Sequence, residues 1–101
     1  MNMKKKKDGT QLTVMINGRI DTATAPEADA YINQSLDGVE KLILDFGNVN
    51  YVSSAGLRVL LSLHKKMMGK GGMKLIHVCE AVSDVFEVTG FDEILDYEKG
   101  E

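Results

Sequence analysis

The sequence predicts an α/β fold in which a mostly parallel central sheet of four to five strands packs against three or more helices. Short apolar runs of strand length alternate with longer segments whose apolar residues recur at helical spacing. Most of the glycines stand between these segments, and a single proline interrupts the chain. A chain of 101 residues has room for one domain. We therefore expect a single domain over residues 1–101, in the order strand, strand, helix, strand, helix, strand, helix and a short last strand.

The N-terminal part of the chain predicts a hairpin. The lysine run Lys4–Lys7 is typical of a solvated terminus or of an edge strand that resists sheet-to-sheet pairing, and a basic docking arm is the alternative. Asp8-Gly9 is a hairpin turn signal. A strand with one well-buried side follows and ends at Asn17-Gly18. Its apolar positions are Leu12, Val14 and Ile16.

A first helix is expected to begin at Thr24. Thr24 and Glu27 have the spacing of a capping box, and Pro26 falls in the first turn, where a missing N–H is tolerated. Asp37-Gly38 closes the segment. One helical face carries the apolar residues Ala28, Tyr31, Ile32 and Leu36.

The middle of the chain predicts a buried strand followed by a long helix. The continuous apolar run within Lys41–Phe46 indicates a central strand that is covered on both faces. After the segment Val49–Val52, a helix is expected to run from Ser53-Ser54 to Met68 and to end at the glycines that follow. Its apolar residues are Leu57, Leu60, Leu61 and Met68, with Val59 and Leu63 widening the face.

The C-terminal part predicts a strand, a short helix and a last strand. Lys74–Cys79 has the composition of a strand. Ser83 is the expected N-cap of a helix that continues to Thr89, with Gly90 as its stop. Ile94–Tyr97 predicts a last short strand.

Two serines stand where the long helix begins. The first turn of a helix carries unpaired N–H groups and a partial positive charge, so a phosphate is well accommodated there. Ala55 and Gly56 are expected to keep the surface beside the serines low, so that the backbone of a partner can approach. Spacing alone favours the simpler interpretation that Ser53 or Ser54 serves only as an N-cap.

Two motifs in the chain resemble those of the STAS family, the sulphate transporter and anti-sigma factor antagonist domains. The strand Leu42–Phe46 and the later stretch Tyr51–Leu57 are similar to the family's signature of an apolar strand ending in aspartate, then an aromatic, an aliphatic, Asp or Ser, Ser, a small residue, Gly and Leu. Upstream, Asn17–Asp21 resembles the family's Gly-x-aliphatic-Asp element. The order of elements agrees over nearly the whole chain, so the resemblance implies a STAS-like domain. The small size matches a stand-alone antagonist better than the tail of a transporter.

The resemblance implies an anti-sigma factor antagonist, a partner-switching regulator of transcription. In that branch the unphosphorylated protein binds an anti-sigma factor that is also a serine-protein kinase, and phosphorylation releases it. A PP2C-type phosphatase removes the phosphate. Carried onto this sequence, the acceptor is Ser54, and Asp21 matches the acidic residue found beside it. Ser53 stands where many members have aspartate, and it remains open as an alternative acceptor.

The partner-binding residues are expected at both motifs. Arg58 follows Ser54 by four residues, so its side chain can lean back over the first turn of the helix. There it either pairs with the phosphate or contacts the partner, unless it is only solvated. Asp21 either orients a hydroxyl, repels the phosphate or holds a loop. The expected partner-binding set is Asp21, Thr22, Ser53, Ser54, Ala55, Gly56 and Arg58.

Other kinds of function have less support in the sequence. A constitutive STAS scaffold subunit of a transport or lipid-trafficking complex, in which Ser54 is only structural, is the alternative that the resemblance leaves open. We expect no enzymatic activity and no cofactor, because no phosphate loop or acid–base pair is visible. We expect no metal site, because His64 and His77 have no ligands at suitable spacing.

Composition and sequence pattern indicate which binding partners and which cell compartment to expect. A net charge of −3 does not favour nucleic-acid binding. No apolar run approaches the roughly 20 residues that span a bilayer, so no membrane association is expected. The N-terminus lacks the apolar stretch of a secretory signal, and the one cysteine, Cys79, has no partner for a disulfide. We therefore expect a cytoplasmic protein that is monomeric when free.

Overall fold

A computed structural model describes residues 2–100. Met1 and Glu101, the two ends of the predicted domain, lie outside the described residues. The elements follow the predicted order, and the α/β fold class is confirmed. They are β1 (Asn2–Asp8), β2 (Gln11–Asn17), α1 (Ala25–Gln34), β3 (Lys41–Asn48), α2 (Ser54–Met68), β4 (Met73–Val78), α3 (Glu80–Thr89), a 3-10 turn (Phe91–Glu93) and β5 (Asp96–Lys99).

Within residues 2–100 the strands form one sheet in the order β1-β2-β3-β4-β5. β1 pairs with β2 in the antiparallel sense, and all other neighbours are parallel. The hairpin turn between β1 and β2 contains Gly9 with a φ of 62°, a left-handed conformation that favours glycine. β1 is an edge strand, so the prediction that Lys4–Lys7 lies in an edge strand is confirmed. Its exposed lysines oppose pairing with a further strand.

The helices cover one face of the sheet. Each parallel connection steps to the next strand in the same direction, and right-handed crossovers then place α1, α2 and α3 on the same side. On that side β3 buries Leu42, Leu44 and Phe46, each 0% exposed. On the other side Ile43 and Asp45 are only half-buried. The expectation that β3 is covered on both faces is therefore wrong.

The first helix begins next to Thr24, but the predicted capping box is wrong. Thr24 is the N-cap residue in sequence, yet its side chain makes no capping hydrogen bond to α1. Its hydroxyl instead donates to the carbonyl of Arg19 at 2.7 Å and accepts from the amide of Asp21 at 2.9 Å. The hydroxyl thus closes the preceding loop. Pro26 lies in the first turn, as predicted.

The buried face of α2 is rotated from the predicted one. Met67 is fully buried, whereas Met68 is 68% exposed. Consecutive helical residues are about 100° apart, and the core lies under the arc around Leu60, Leu63 and Met67, so Met68 points away from it. No helix among residues 2–100 combines the length and apolar character that crossing a membrane requires.

The third helix starts earlier than predicted. Cys79 is its N-cap residue, and the helix begins at Glu80, because the chain enters the helix directly after β4 ends at Val78. Ser83 is therefore not the cap. It is fully buried inside the helix, with its hydroxyl 3.3 Å from the hydroxyl of Tyr97 in β5. Gly90 ends the helix in a left-handed conformation with a φ of 80°, as predicted.

Candidate functional site

The two sequence motifs meet at the carboxyl ends of β2 and β3. Ile20 and Val52 form an isolated parallel bridge. The amide of Ile20 donates to the carbonyl of Tyr51 at 2.9 Å, and the amide of Ser53 donates to the carbonyl of Ile20 at 2.8 Å. These bonds lock the loop that contains Asp21 against the segment that leads into α2. The site is thus built from two loops at one edge of a rigid sheet.

The two serines have different roles in the local structure. Ser53 is the N-cap of α2: its backbone is extended, and its Oγ accepts from the amide of Gly56 at 3.3 Å. Ser54 is the first helical residue, and it is exposed. Its hydroxyl makes no hydrogen bond to another residue in 2–100. The cap therefore occupies the Ser53 hydroxyl and leaves that of Ser54 accessible from solvent.

Gly56 lies on the inner side of the helix. The sequence predicts this residue on the partner surface, but the structure buries it. A Cβ atom at this position would stand 2.8 Å from Cγ2 of Ile20 and 2.9 Å from Cγ1 of Val52. Gly56 thus allows α2 to approach the bridge between the two loops. It shapes the site from below and is not a contact surface itself.

Asp21 holds its own loop together. Its Oδ1 accepts hydrogen bonds from the amides of Ala23 and Thr24, both at 3.0 Å, and lies 3.1 Å from the Thr24 hydroxyl. The hydrogen bond from the Thr24 amide is the main cause that lowers the pKa of Asp21. Desolvation opposes this effect, and the Thr24 hydroxyl, the Ala23 amide and the charge of Arg19 add to it. Of the three roles considered for Asp21, the geometry supports holding the loop.

The remaining predicted residues lie around the serines. Thr22 is exposed in the Asp21 loop, and Ala55 is half-buried in the first turn of α2. Arg58 is exposed one helical turn after Ser54. The side chain of Arg58 makes no hydrogen bond or ion pair with another residue in 2–100. Its guanidinium is therefore free to contact a partner or a phosphate.

Arg19 and Tyr51 also lie at the site, although the sequence did not predict them as site residues. The Arg19 guanidinium carbon lies 4.6 Å from the centroid of the Tyr51 ring. Nε of Arg19 is also 3.8 Å from Oδ2 of Asp21. Each residue belongs to one of the motifs, but their contact depends on the bridge between Ile20 and Val52. Nothing in the local sequence pattern reveals that bridge.

The histidines and the cysteine lie outside the two loops of the site. In the part of the chain that the structure describes, no three His, Cys, Asp or Glu residues are grouped to hold a metal ion. Nδ1 of His77 lies 3.0 Å from Oδ1 of Asp45, and no third ligand among residues 2–100 joins this pair. Sγ of Cys79 is half-buried and donates to the carbonyl of Val49 at 3.4 Å.

Comparison with known proteins places the chain in a family. BtrV of Bordetella bronchiseptica, provisionally named an anti-sigma factor antagonist, is 35% identical over 88 residues, which are 85% of this chain and 75% of that protein. The anti-sigma-B factor antagonist of Bacillus subtilis is 28% identical over 97 residues, 95% of this chain and 89% of that protein. The phosphorylated form of the Bacillus cell fate determinant SpoIIAA has a similar fold, with a TM-score of 0.72 and 15% identity over 97% of this chain and 92% of that one. The family model of the STAS domain matches residues 2–100. The chain belongs to the STAS domain family.

Proposed function

We propose that this protein is an anti-sigma factor antagonist that works by partner switching through Ser54. One observation carries the proposal: Ser53 caps α2, and the neighbouring Ser54 hydroxyl is exposed and uncommitted at the same helix start. The names of the relatives from Bordetella and Bacillus support the assignment of the activity. The unphosphorylated chain binds an anti-sigma factor, and phosphorylation of Ser54 ends the binding.

The proposed partners are proteins. The anti-sigma factor is also the serine-protein kinase that modifies Ser54, and a PP2C-type phosphatase restores the hydroxyl. The protein itself acts by binding and not as an enzyme, and it works in the cytoplasm. The existence of a phosphorylated form of SpoIIAA, a protein of the same fold, supports the covalent switch.

The switch acts at the interface and leaves the domain folded. A phosphate adds about −1.5 to −2 charges, and the N-terminus of α2 presents amide groups and a partial positive charge toward it. The domain therefore tolerates the modification. A partner surface that fits a small hydroxyl must instead desolvate the phosphate without compensation, which costs a few kcal/mol and lowers affinity by about two decades.

A phosphorylation assay is the first test of the proposal. The protein is incubated with ATP and a lysate of its own cell, and its mass is followed for a gain of about 80 Da, the net addition of HPO3 when the γ-phosphoryl group of ATP is transferred to one hydroxyl and ADP leaves. The gain should disappear in Ser54→Ala and persist in Ser53→Ala. A gain that disappears only in Ser53→Ala would move the acceptor to the capping residue.

A pull-down separates the switch from a passive scaffold. Wild type and Ser54→Ala should retain the anti-sigma factor, and Ser54→Asp should lose it. If no phosphate is added and all three forms co-purify with subunits of a membrane complex, the protein is a constitutive scaffold and the proposal is wrong.

A further inference from the structure

An exposed arginine and an exposed tyrosine form a stacked pair at the edge of the Ser54 site. Arg19 lies over the Tyr51 ring at 4.6 Å, and its side chain is 64% exposed. Tyr51 is 41% exposed, whereas large aromatic side chains are more often partly or largely buried. Tyr51 comes three residues before Ser54 and shares the loop that the Ile20–Val52 bridge fixes. Tyr51 therefore belongs to the fixed segment that leads directly into Ser54.

The pair is held in place before any partner arrives. The backbone at Tyr51 accepts a hydrogen bond from Ile20, next to Arg19, so the two side chains are carried by segments that are bonded to each other. The contact between the cation and the ring restricts both side chains further. Fixing long side chains in advance lowers the entropy cost of binding. Tyrosine and arginine are also among the residue types that are enriched at interface positions with large contributions to binding.

The guanidinium has capacity for a second anion. Its only ion pair within residues 2–100 is with Asp21, and Nε is 3.8 Å from that carboxylate, beyond hydrogen-bond distance. Oδ1 of Asp21 already accepts hydrogen bonds from the amides of Ala23 and Thr24. The guanidinium N–H groups of Arg19 thus make no hydrogen bond within residues 2–100, and the side chain is 64% exposed. A carboxylate from a partner can accept two of them in the side-by-side geometry that guanidinium favours.

We propose that the Arg19–Tyr51 pair is an anchor for the anti-sigma factor, which presents a carboxylate to Arg19 and an apolar side chain to the Tyr51 ring. This inference rests on the proposed function and adds a specificity determinant to it. The switch at Ser54 decides whether the complex forms. The anchor decides which acidic surface is accepted.

A second cation–ring pair in the same protein provides a control. Nζ of Lys5 lies 5.4 Å from the centroid of the Tyr31 ring, but Lys5 also donates to Oγ of Ser35, and Tyr31 packs against the core. This pair joins β1 to α1, away from the two loops of the site. Its cation should contribute nothing to partner binding.

The test measures, by isothermal titration calorimetry, the Kd of the complex between this protein and the purified anti-sigma factor kinase that phosphorylates Ser54. Arg19→Ala and Tyr51→Ala should each raise the Kd at least tenfold. The double variant should raise it by less than the product of the single effects, because each residue positions the other. The matched controls Lys5→Ala and Met68→Ala, which remove an exposed cation and an exposed apolar side chain elsewhere, should stay within twofold of wild type.

The outcomes separate this inference from the function on which it rests. If Arg19→Ala and Tyr51→Ala bind within twofold of wild type while Ser54→Asp loses binding, the anchor is refuted and the switch stands. If the wild-type protein does not bind the kinase, both fail. Arg19→Lys adds a geometric check: it keeps the charge but not the planar fork, and it should still weaken binding severalfold.

Discussion

The amide nitrogen of Ser53 donates to the carbonyl oxygen of Ile20 over 2.8 Å, and this bond ties the cap of α2 to the loop that contains Asp21. The same residue uses its side chain to cap the helix. The start of α2 is therefore fixed both by its own first turn and by the neighbouring loop. Such a rigid start suits a site that must present one hydroxyl in the same place to a partner and to a kinase.

Replacing Gly56 by alanine should destabilise the domain. The new Cβ would lie 2.8 Å from Ile20 Cγ2 and 3.1 Å from the Ile20 carbonyl oxygen, so the helix or the loop must shift, at a cost of about 1–3 kcal/mol. Urea unfolding measures this loss. Gly69→Ala is the matched control, because a Cβ there meets nothing within 4 Å and Gly69 has a φ of −81°. Equal stability of both variants would contradict the close approach at Gly56.

Ser53→Ala and Ser54→Ala should lower the free energy of unfolding by different amounts. Ser53→Ala removes the acceptor for the Gly56 amide, and the loss of such a cap costs about 1 kcal/mol. Ser54→Ala removes an exposed hydroxyl that has no partner in residues 2–100, so its effect should stay within about 0.5 kcal/mol. Thermal unfolding of both variants provides the comparison. A larger loss in Ser54→Ala would mean that the proposed acceptor is a structural residue.

The charge of Asp21 should make stability depend on acidic pH. Hydrogen bonds to the carboxylate lower the pKa of Asp21 in the folded state, so the folded protein favours the ionised form of this side chain. The resulting stabilisation is complete above the unfolded pKa of about 3.9 and is lost as the pH falls through the lower folded value. Asp21→Asn should therefore show a shallower loss of stability than wild type below about pH 4.

The control for this measurement is another carboxylate. Asp92 is exposed and makes no hydrogen bond or ion pair within the part of the chain that the structure describes. Asp92→Asn should follow the wild-type curve. An acid-unfolding profile of Asp21→Asn that overlays the wild type would show that the loop does not depend on the ionised carboxylate.

Much of the fold follows from local patterns, but the surroundings of each element do not. Hydrophobic periodicity identified the helices and the strands, because each period reflects the geometry of one element. It did not reveal that β3 has an uncovered face, since that depends on the direction of all the crossovers. Similarly, the serine at position 83 has the chemistry of a cap, but the chain enters α3 earlier and carries Ser83 into the core.

The site was predictable in part. The two motifs that resemble the STAS signature contain Ser54 and Asp21, and the structure brings the motifs together. The pairing of Arg19 with Tyr51 was not predictable, because it arises from a single bridge between segments that are distant in the sequence. The inward position of Gly56 was missed for the same reason: the atoms it would contact belong to Ile20 and Val52.

The buried hydroxyl of Ser83 predicts a compensating pair of substitutions. Tyr97→Phe keeps the ring contact with Phe86, at 5.1 Å between centroids, but removes the partner of the Ser83 hydroxyl at 3.3 Å. An unsatisfied buried hydroxyl costs about 1–3 kcal/mol. The double variant Ser83→Ala/Tyr97→Phe should recover part of this loss, as measured by urea unfolding. A strictly additive double variant would show that the two hydroxyls do not interact.

Ser54→Asp should move stability and partner binding in opposite directions. A negative charge in the first turn of α2 interacts favourably with the helix dipole, by about 0.3–1 kcal/mol, so the melting temperature should stay the same or rise. The same charge should weaken binding of the anti-sigma factor by about two decades, because it must be desolvated in the interface. Ser62→Asp is the matched control: Ser62 is exposed in the middle of α2, so an aspartate there lacks the favourable helix end and should leave binding unchanged. If Ser54→Asp instead unfolds the domain, the loss of binding follows from misfolding, and the switch does not act at the interface.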